Sequence, residues 1–144
     1  MSNEEIVDSP TGWVAKHVQQ YIESDGAQGH QYHGAPALLL TTRGRKSGLL
    51  RRTALYYGQD GDDYLVVGSQ GGADAHPLWY LNLDADPNVQ VQVEADRFDA
   101  TARTATPEEK ARLWPIMVKV FKTYDSYQKK TSRDIPVVIL TRKG

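Results

Sequence analysis

Basic residues are concentrated in one short segment of the chain. Five of the ten residues from position 43 to 52 are arginine or lysine, although the whole chain carries a formal net charge of −1. Gly44, Ser47 and Gly48 let the backbone curl, so N–H groups and cationic side chains can converge on an anion. The segment predicts an anion site, while a solvated hairpin kept basic for solubility explains it equally well. No aromatic residues are interleaved with the basic ones, which disfavours nucleic acid as the partner.

A second candidate segment is Ser69-Gln70-Gly71-Gly72-Ala73, which follows a predicted strand. Its glycine pair precedes a predicted helix, and backbone amides at such a junction are available to a planar ring or a phosphate. The alternative is a tight turn that simply requires glycine. In the helix that follows, Trp79 is by default a core residue and Asn82 a helix-end residue.

A third candidate segment carries three aromatic residues, Phe121, Tyr124 and Tyr127, spaced by three. On a helix this spacing places them on one stripe. An aromatic stripe is usually core, but two tyrosines could instead wall a pocket for a flat substrate and offer a proton-donating hydroxyl. The histidines at 30 and 33 have no visible carboxylate or cysteine partner in the sequence, so we expect no metal site.

Composition limits the class of protein. The 144 residues are 40% hydrophobic and 24% charged, which is typical of one folded domain. The chain has no cysteine, which excludes disulfides and thiolate chemistry. Neither a signal peptide nor an apolar run of about 20 residues is visible, so we expect a cytoplasmic protein. We interpret 1–144 as a single domain, with 1–34 forming an N-terminal helix and loop.

The elements that must position these segments follow from periodicity and turn signals. Ser9-Pro10 predicts a helix start, Gly26 its end, and 25–36 a loop. We expect Pro115 to kink the helix that begins at the capping box Thr106-Pro107-Glu108-Glu109. Further elements are predicted as strands at 37–42, 50–57, 64–67, 89–93, 98–102 and 135–140 and as a helix at 74–83, with a hairpin at 60–61. About six antiparallel strands with flanking helices predict a mainly β (α+β) fold, a closed or split barrel.

The three segments, in this order, resemble the deazaflavin (coenzyme F-420)-dependent nitroreductase family of actinobacteria. The likeness runs from about Ala35 to Leu140. Its marks are Thr42-Arg43-Gly44-Arg45-Lys46-Ser47-Gly48, Arg51, Ser69-Gln70-Gly71-Gly72, Pro77-Leu78-Trp79-Tyr80-Leu81-Asn82-Leu83, Asp86-Pro87, Tyr124, Tyr127, Arg133 and Ile135-Pro136. The resemblance implies an FMN-binding-like split β-barrel and a reductase that takes a hydride from reduced coenzyme F-420.

The resemblance also implies roles for individual residues. The phosphate side of the coenzyme would be held by Arg45, Lys46, Ser47 and Arg51. Contacts with its ring or linker would come from Ala54, Ser69, Gln70, Gly71, Gly72, Ala73, Trp79 and Asn82. The substrate side would be lined by Tyr56, Ser69, Phe121, Tyr124 and Tyr127, of which Ser69, Tyr124 and Tyr127 are the candidate catalytic residues.

Three positions depart from the family pattern. Gln70 stands where members often have lysine, Ala54 where proline is usual, and Phe121 where a tyrosine is usual. The loss of a charge and a hydroxyl argues against bicyclic nitroimidazole reduction. We therefore expect a flat, electron-poor acceptor, a menaquinone-like quinone first and a nitro-aromatic compound second.

Two rival functions stay open at the level of sequence. One is an FMN-dependent oxidoreductase on the same barrel, and the other is a non-catalytic protein that binds the cofactor. The oligomeric state is not fixed by the sequence. The amphipathic first helix is compatible with peripheral contact at the inner face of the cell membrane, although it carries few basic residues.

Overall fold

The computed structural model describes residues 6–8, 12–27, 30–32 and 35–143. Within these ranges the chain forms nine strands, four α-helices and a short 3-10 turn at Gln70–Gly72. The helices are α1 (Gly12–Ser24), α2 (Leu78–Ala85), α3 (Pro107–Val120) and α4 (Thr123–Lys130). The strands are β1 (Ile6–Asp8), β2 (Gln31–Tyr32), β3 (Ala35–Arg43), β4 (Leu50–Tyr56), β5 (Gly58–Asp60), β6 (Asp63–Val67), β7 (Asn88–Val93), β8 (Asp96–Thr104) and β9 (Val137–Arg142).

One curved sheet contains all of these strands. Its order is β1-β4-β3-β7-β8-β9-β6-β5, and β2 pairs with β3 off this path. All neighbours are antiparallel except β1 and β4, which are parallel. The sheet bends far enough that β4 and β6, which are not hydrogen-bonded neighbours, contact each other. This curvature produces the split barrel that the sequence predicted.

Alternate residues of the strands fill the inside of the barrel, as the two-residue period of a strand requires. Leu38 and Leu40 of β3 meet Val138 and Leu140 of β9 there, and Leu83 of α2 closes one end. Residues 38–40, 65–67 and 137–140, which lie in three of the predicted strands, are all buried. The core therefore fixes the strands from whose ends the candidate segments extend.

The helices cover the outside of the sheet on two sides. Leu113 and Met117 of α3 pack with Tyr124 of α4 against the outer faces of β6 and β9. Val18 and Tyr21 of α1 pack on Leu39 of β3. No helix in the described part of the chain is long and apolar enough to span a membrane.

The end of α1 shows why glycine is required at position 26. Gly26 has a φ of +86°, and a Cβ there would lie 2.3 Å from the Cα of Glu94. The predicted helix end at this glycine is confirmed. The predicted start at Ser9-Pro10 lies outside the described residues.

Several predicted elements need correction. The loop predicted at 25–36 contains β2, and the strand predicted at 50–57 ends at Tyr56, before β5 begins at Gly58. The helix predicted at 74–83 begins only at Leu78, because Pro77 takes an extended conformation before it. The capping box at Thr106 is confirmed, and α3 continues through Pro115 as one helix. Trp79, interpreted by default as a core residue, is only partly buried, and so is Trp114 of α3.

Candidate functional site

The loop between β3 and β4 carries the basic residues. Its turn is closed by two backbone hydrogen bonds, from Gly44 N–H to Leu49 C=O at 2.7 Å and from Gly48 N–H to Gly44 C=O at 2.8 Å. Arg43 donates to the carbonyl of Gly48 at 2.8 Å and stabilises the same turn. The sequence Gly-x-x-x-Gly thus forms a tight loop with its cationic side chains on the outside.

Three cations of this loop have no partner of their own within the described residues. The side chains of Arg45, Lys46 and Arg51 are exposed and form no hydrogen bond or ion pair there. The other arginines behave differently: Arg103 and Arg112, for example, are each held by a carboxylate in two hydrogen bonds. Unpaired exposed cations are available to an anionic ligand, and these three are the cationic members of the set that, with Ser47, is predicted to hold the phosphate.

Asn82 connects this loop to α2. Its side chain is buried, its amide nitrogen donates to the hydroxyl of Thr42 at 3.2 Å, and its oxygen accepts from the Arg45 backbone N–H at 3.1 Å. It lies in the middle of α2 and not at a helix end, so the default interpretation from the sequence was wrong. The amide anchors the basic loop, which gives it a positioning role beside any contact with a ligand.

The glycine pair forms the 3-10 turn after β6. Gln70, Gly71 and Gly72 all have positive φ values, of 44°, 64° and 81°. Gly72 is buried, and a Cβ there would lie 2.8 Å from the carbonyl oxygen of Tyr127. The turn therefore needs glycine, as one alternative from the sequence held, while the binding of a ring or a phosphate by its backbone amides stays a prediction. This turn packs directly against α4.

The aromatic residues predicted for the substrate side lie together. Ring centroids are 4.9 Å apart for Tyr56 and Phe121, 5.1 Å for Phe121 and Tyr124, and 6.4 Å for Tyr124 and Tyr127. The helix stripe that predicted this cluster was wrong in one respect. The capping-box helix ends at Val120, Phe121 takes an extended conformation, and α4 begins at Thr123. The three rings meet across a break between two helices.

The two tyrosines of α4 differ in environment. Tyr124 is 5% exposed, and burial raises the pKa of its hydroxyl above the usual range, with Tyr56 and Tyr127 adding to the effect. Tyr127 is only partly buried and follows Tyr124 by one helical turn. Ser69, the third candidate catalytic residue, is 8% exposed at the start of the glycine turn. The structure therefore brings the turn and the aromatic cluster to one side of the barrel.

Two predicted cofactor residues lie apart from this aromatic cluster. Ala54 packs against the cluster that α1 forms with Leu39, although Tyr56, two residues further along β4, reaches Phe121. Trp79 packs partly against the inside of the barrel and contacts the ring of Tyr80. Their roles toward a cofactor stay predictions.

Arg133 is a mark of the family resemblance in the sequence, but its contacts could not be predicted from the sequence. Its guanidinium donates to the carbonyls of Gly68, Ser69 and Ala73 and contacts His76 Nδ1 at 3.0 Å. Nearby, the Thr131 hydroxyl donates to the Asp74 carboxylate at 2.7 Å. No signal in the sequence shows that a residue after α4 binds a segment 60 positions earlier.

The described histidines, at positions 17, 30 and 76, form no metal site. The described residues contain no group of three or more histidine, aspartate or glutamate side chains that could hold a metal ion. His30 does have partners, contrary to the sequence expectation: its Nε2 lies 2.8 Å from the hydroxyl of Tyr57 and its Nδ1 3.4 Å from the carboxylate of Glu94. These bonds connect the segment after α1 to the barrel.

The split barrel carries unpaired cations on the β3–β4 loop and a glycine turn packed against α4, features expected of a cofactor-binding oxidoreductase. Comparison with known proteins agrees. The family model of the F420H(2)-dependent quinone reductase matches residues 13–142. An F420H(2)-dependent quinone reductase of Mycobacterium tuberculosis is 42% identical, over 91% of this chain and 97% of that protein. The chain belongs to the F420H(2)-dependent quinone reductase family, a family of oxidoreductases, which confirms the resemblance.

Solved structures support the same fold. One, described as a domain-swapped dimer, has a TM-score of 0.71 and 38% identity and covers 92% of this chain and 99% of its own. Another, described as an F420-H2 dependent reductase, has a TM-score of 0.68 and 40% identity, over 73% of this chain and 93% of its own. The split barrel predicted from the sequence is therefore confirmed.

Proposed function

We propose that this protein reduces a quinone to a quinol with reduced coenzyme F-420 as the hydride donor. When bound, the coenzyme supplies the hydride, which carries two electrons and one proton equivalent; a further proton completes the quinol. The single observation that carries the proposal is that the glycine turn at 70–72 packs on the backbone of α4 at Tyr127, the helix that also carries Tyr124 of the aromatic cluster. This arrangement would hold two flat molecules together, donor on acceptor.

The residues present fit the coenzyme chemically. A phosphate and an oligoglutamate tail need exposed cations, and Arg45, Lys46 and Arg51 have no competing carboxylate among the described residues. The ring needs backbone donors, and the amides of the glycine turn supply them. FMN has one phosphate and no such tail, so it would use fewer of the cations, and the comparisons give no support to an FMN enzyme.

The two tyrosines of α4 would have different roles toward the acceptor. Tyr124 keeps its proton because burial raises the pKa of its hydroxyl, so it would act as a hydrogen-bond donor that orients the acceptor oxygen. Tyr127 lies nearer to the solvent and is the better candidate to pass on a proton that solvent can replace.

Phe121 favours a quinone over a nitro compound. It contacts Tyr56, Tyr124 and Tyr127 but has no hydroxyl to offer. A nitro group that needed a donor at this point would lose about 0.5–1.5 kcal/mol, whereas a quinone held by stacking would lose little. A nitro-aromatic acceptor is therefore the second choice, and bicyclic nitroimidazoles should be poor substrates.

Steady-state oxidation of the reduced coenzyme tests the function. The purified protein is supplied in parallel with a menaquinone analogue, a bicyclic nitroimidazole and no acceptor, and reduced FMN replaces the coenzyme in a second series. We expect quinone turnover with the deazaflavin only. Binding of the coenzyme without turnover of any acceptor would favour the carrier alternative, and turnover with reduced FMN would favour the FMN alternative.

A further inference from the structure

The segment from Gly68 to His76 is held by a side chain from a distant part of the sequence. Arg133 lies between α4 and β9, and its Nε donates to the Ala73 carbonyl at 2.7 Å. Its Nη2 donates to the Ser69 carbonyl at 2.8 Å, and both terminal nitrogens lie 3.2 Å from the Gly68 carbonyl. Three carbonyls spread over six residues therefore converge on one guanidinium, an arrangement that its planar fork of donors suits.

These carbonyl contacts determine where the neighbouring amides point. A trans peptide unit is planar, so the C=O of one residue and the N–H of the next face opposite ways. The described chain contains no cis peptide bond. With the carbonyls of Gly68 and Ser69 directed at Arg133, the N–H groups of Ser69 and Gln70 must face away from it.

Those two amides have no acceptor among the described residues. The next two amides do: Gly72 N–H donates to Ser69 C=O at 2.9 Å and Ala73 N–H to Gln70 C=O at 3.1 Å. Ser69 is right-handed helical and Gln70 has a φ of 44°, the succession in which adjacent N–H groups form a concave donor site. Ser69 itself is 8% exposed, so a donor left there without a partner would cost free energy unless a ligand accepts from it.

We propose that Arg133 is a positioning residue of the reductase site, which holds the 68–73 segment from behind and fixes the amides of Ser69 and Gln70 toward the ring of the bound coenzyme. This inference rests on the proposed function, because it takes the ligand to be a deazaflavin. Arg133 would touch neither coenzyme nor acceptor. It acts only through the backbone that it holds.

A binding experiment with two ligands separates this role from a general loss of stability. The ligands are coenzyme F-420 and its deazaflavin ring with the ribityl chain alone, which lacks the phosphate and the glutamate tail. Fluorescence titration gives the Kd of each for the parent, Arg133→Lys, Lys46→Ala and Arg103→Lys. The last is the matched control, since Arg103 binds Glu109 on the surface, away from this segment.

Arg133→Lys keeps the charge, but its compact ammonium lacks the planar fork that spans the three carbonyls, so we expect both ligands to bind about tenfold more weakly, the loss of one or two hydrogen bonds. Lys46→Ala should weaken only the tailed coenzyme, and Arg103→Lys should change neither Kd. A further variant, Arg133→Ala, is titrated with and without added guanidinium. Guanidinium should restore ring binding, because it can donate to the same three carbonyls, whereas a variant whose 68–73 segment is misfolded would not recover. Circular dichroism at the assay temperature establishes that each variant is folded.

These measurements test the role of Arg133 separately from the proposed quinone reduction. Unchanged ring affinity in folded Arg133→Lys, or an equal loss in Arg103→Lys, would overturn the positioning role. If the parent binds the ring but reduces no quinone, the proposed function fails, while the pattern of Kd values still decides the role of Arg133. If the parent binds neither ligand, both proposals are wrong.

Discussion

At the scale of single residues, the two tyrosines of α4 are expected to differ in function, Tyr127 as a proton donor and Tyr124 as a residue that orients the acceptor. Tyr124 is nearly buried with a raised pKa, and Tyr127 is partly exposed. Tyr127→Phe should reduce quinone turnover more than Tyr124→Phe, because it removes the hydroxyl that can exchange its proton with solvent; removal of a general acid typically costs about 10²–10⁴-fold. Tyr124→Phe should mainly raise the KM for the acceptor.

Steady-state kinetics with a quinone, together with the Kd of the coenzyme, measure both effects. The Kd should be nearly unchanged in both variants, since neither hydroxyl is assigned to the coenzyme. Tyr80→Phe is the control, because its hydroxyl bonds Thr104 on the surface. Full activity in Tyr127→Phe would contradict its assignment as the proton donor.

At the scale of elements, the segment that Arg133 holds contains a titratable group, His76. Burial, and then the Arg133 guanidinium, lower the pKa of His76, while Asp84 opposes the shift; the ring of Tyr80 also packs on it. The neutral imidazole is thus favoured in the fold, and its Nδ1 can accept from Arg133. Because the folded pKa is depressed, this contribution to stability is complete above the unfolded pKa of about 6.5 and is lost as pH falls through the folded value.

We therefore expect the free energy of unfolding to fall more steeply below about pH 6.5 in the parent than in His76→Asn, which cannot titrate there. Urea unfolding at several pH values between neutral and mildly acid measures the two slopes. His17→Asn, at a buried histidine of α1, serves as the comparison. If the free energy of unfolding depends on pH in the same way in the parent and in His76→Asn, the titration of His76 does not affect stability.

Another element-scale prediction concerns how α1 is attached. The hydroxyl of Tyr21, a fully buried residue, accepts the Glu94 N–H at 2.6 Å, and burial raises its pKa to about 12. Tyr21→Phe leaves that N–H without its acceptor and should cost about 1–3 kcal/mol of stability. Tyr80→Phe removes an exposed bond and should cost less. Urea unfolding measures both free energies. Equal losses in the two variants would mean that the buried bond from Glu94 to Tyr21 stabilises the protein no more than an exposed bond does.

The sequence predicted helices and strands correctly where neighbouring residues determine them. The capping box at Thr106 begins α3, and the alternating valines of 89–93 form β7, because a cap and a two-residue period are local signals. The start of α2 and the break at Phe121 could not be predicted in the same way. The start of α2 follows from the extended conformation of Pro77, and the break at Phe121 goes with its packing on the distant Tyr56. The hold of Arg133 on the glycine turn is of the same kind.

At the scale of the whole molecule, the split barrel and the order of its segments could be predicted from the resemblance and from strand patterning, but the sheet order could not. Pairing of β3 with β7, or of β6 with β9, joins residues far apart in sequence. The candidate site shows the same limit. Its basic loop and its aromatic stripe were recognised as separate segments, while the buried amide of Asn82 that links the basic loop to α2 was recognised only in the fold.

The distribution of charge over the molecule predicts how the affinity for the coenzyme depends on salt. The net charge is only −1, so the protein as a whole neither attracts nor repels an anionic coenzyme strongly. Attraction must come from the exposed cations of the 43–52 segment, and such charges are screened over about 8–10 Å at physiological ionic strength. The affinity for coenzyme F-420 should therefore fall as salt rises, while the affinity for its ring alone should be nearly constant.

Lys46→Ala and Arg51→Ala should each weaken binding of the coenzyme by about 1–3 kcal/mol, because each removes one charge-assisted bond. Each variant should also show a smaller dependence of the Kd on salt concentration. Lys119→Ala, an exposed lysine of α3, is the control. Titrations at several salt concentrations measure these slopes; a salt-independent Kd for the parent, or unchanged Kd values in both loop variants, would mean that the loop is merely solvated and that the tail binds elsewhere.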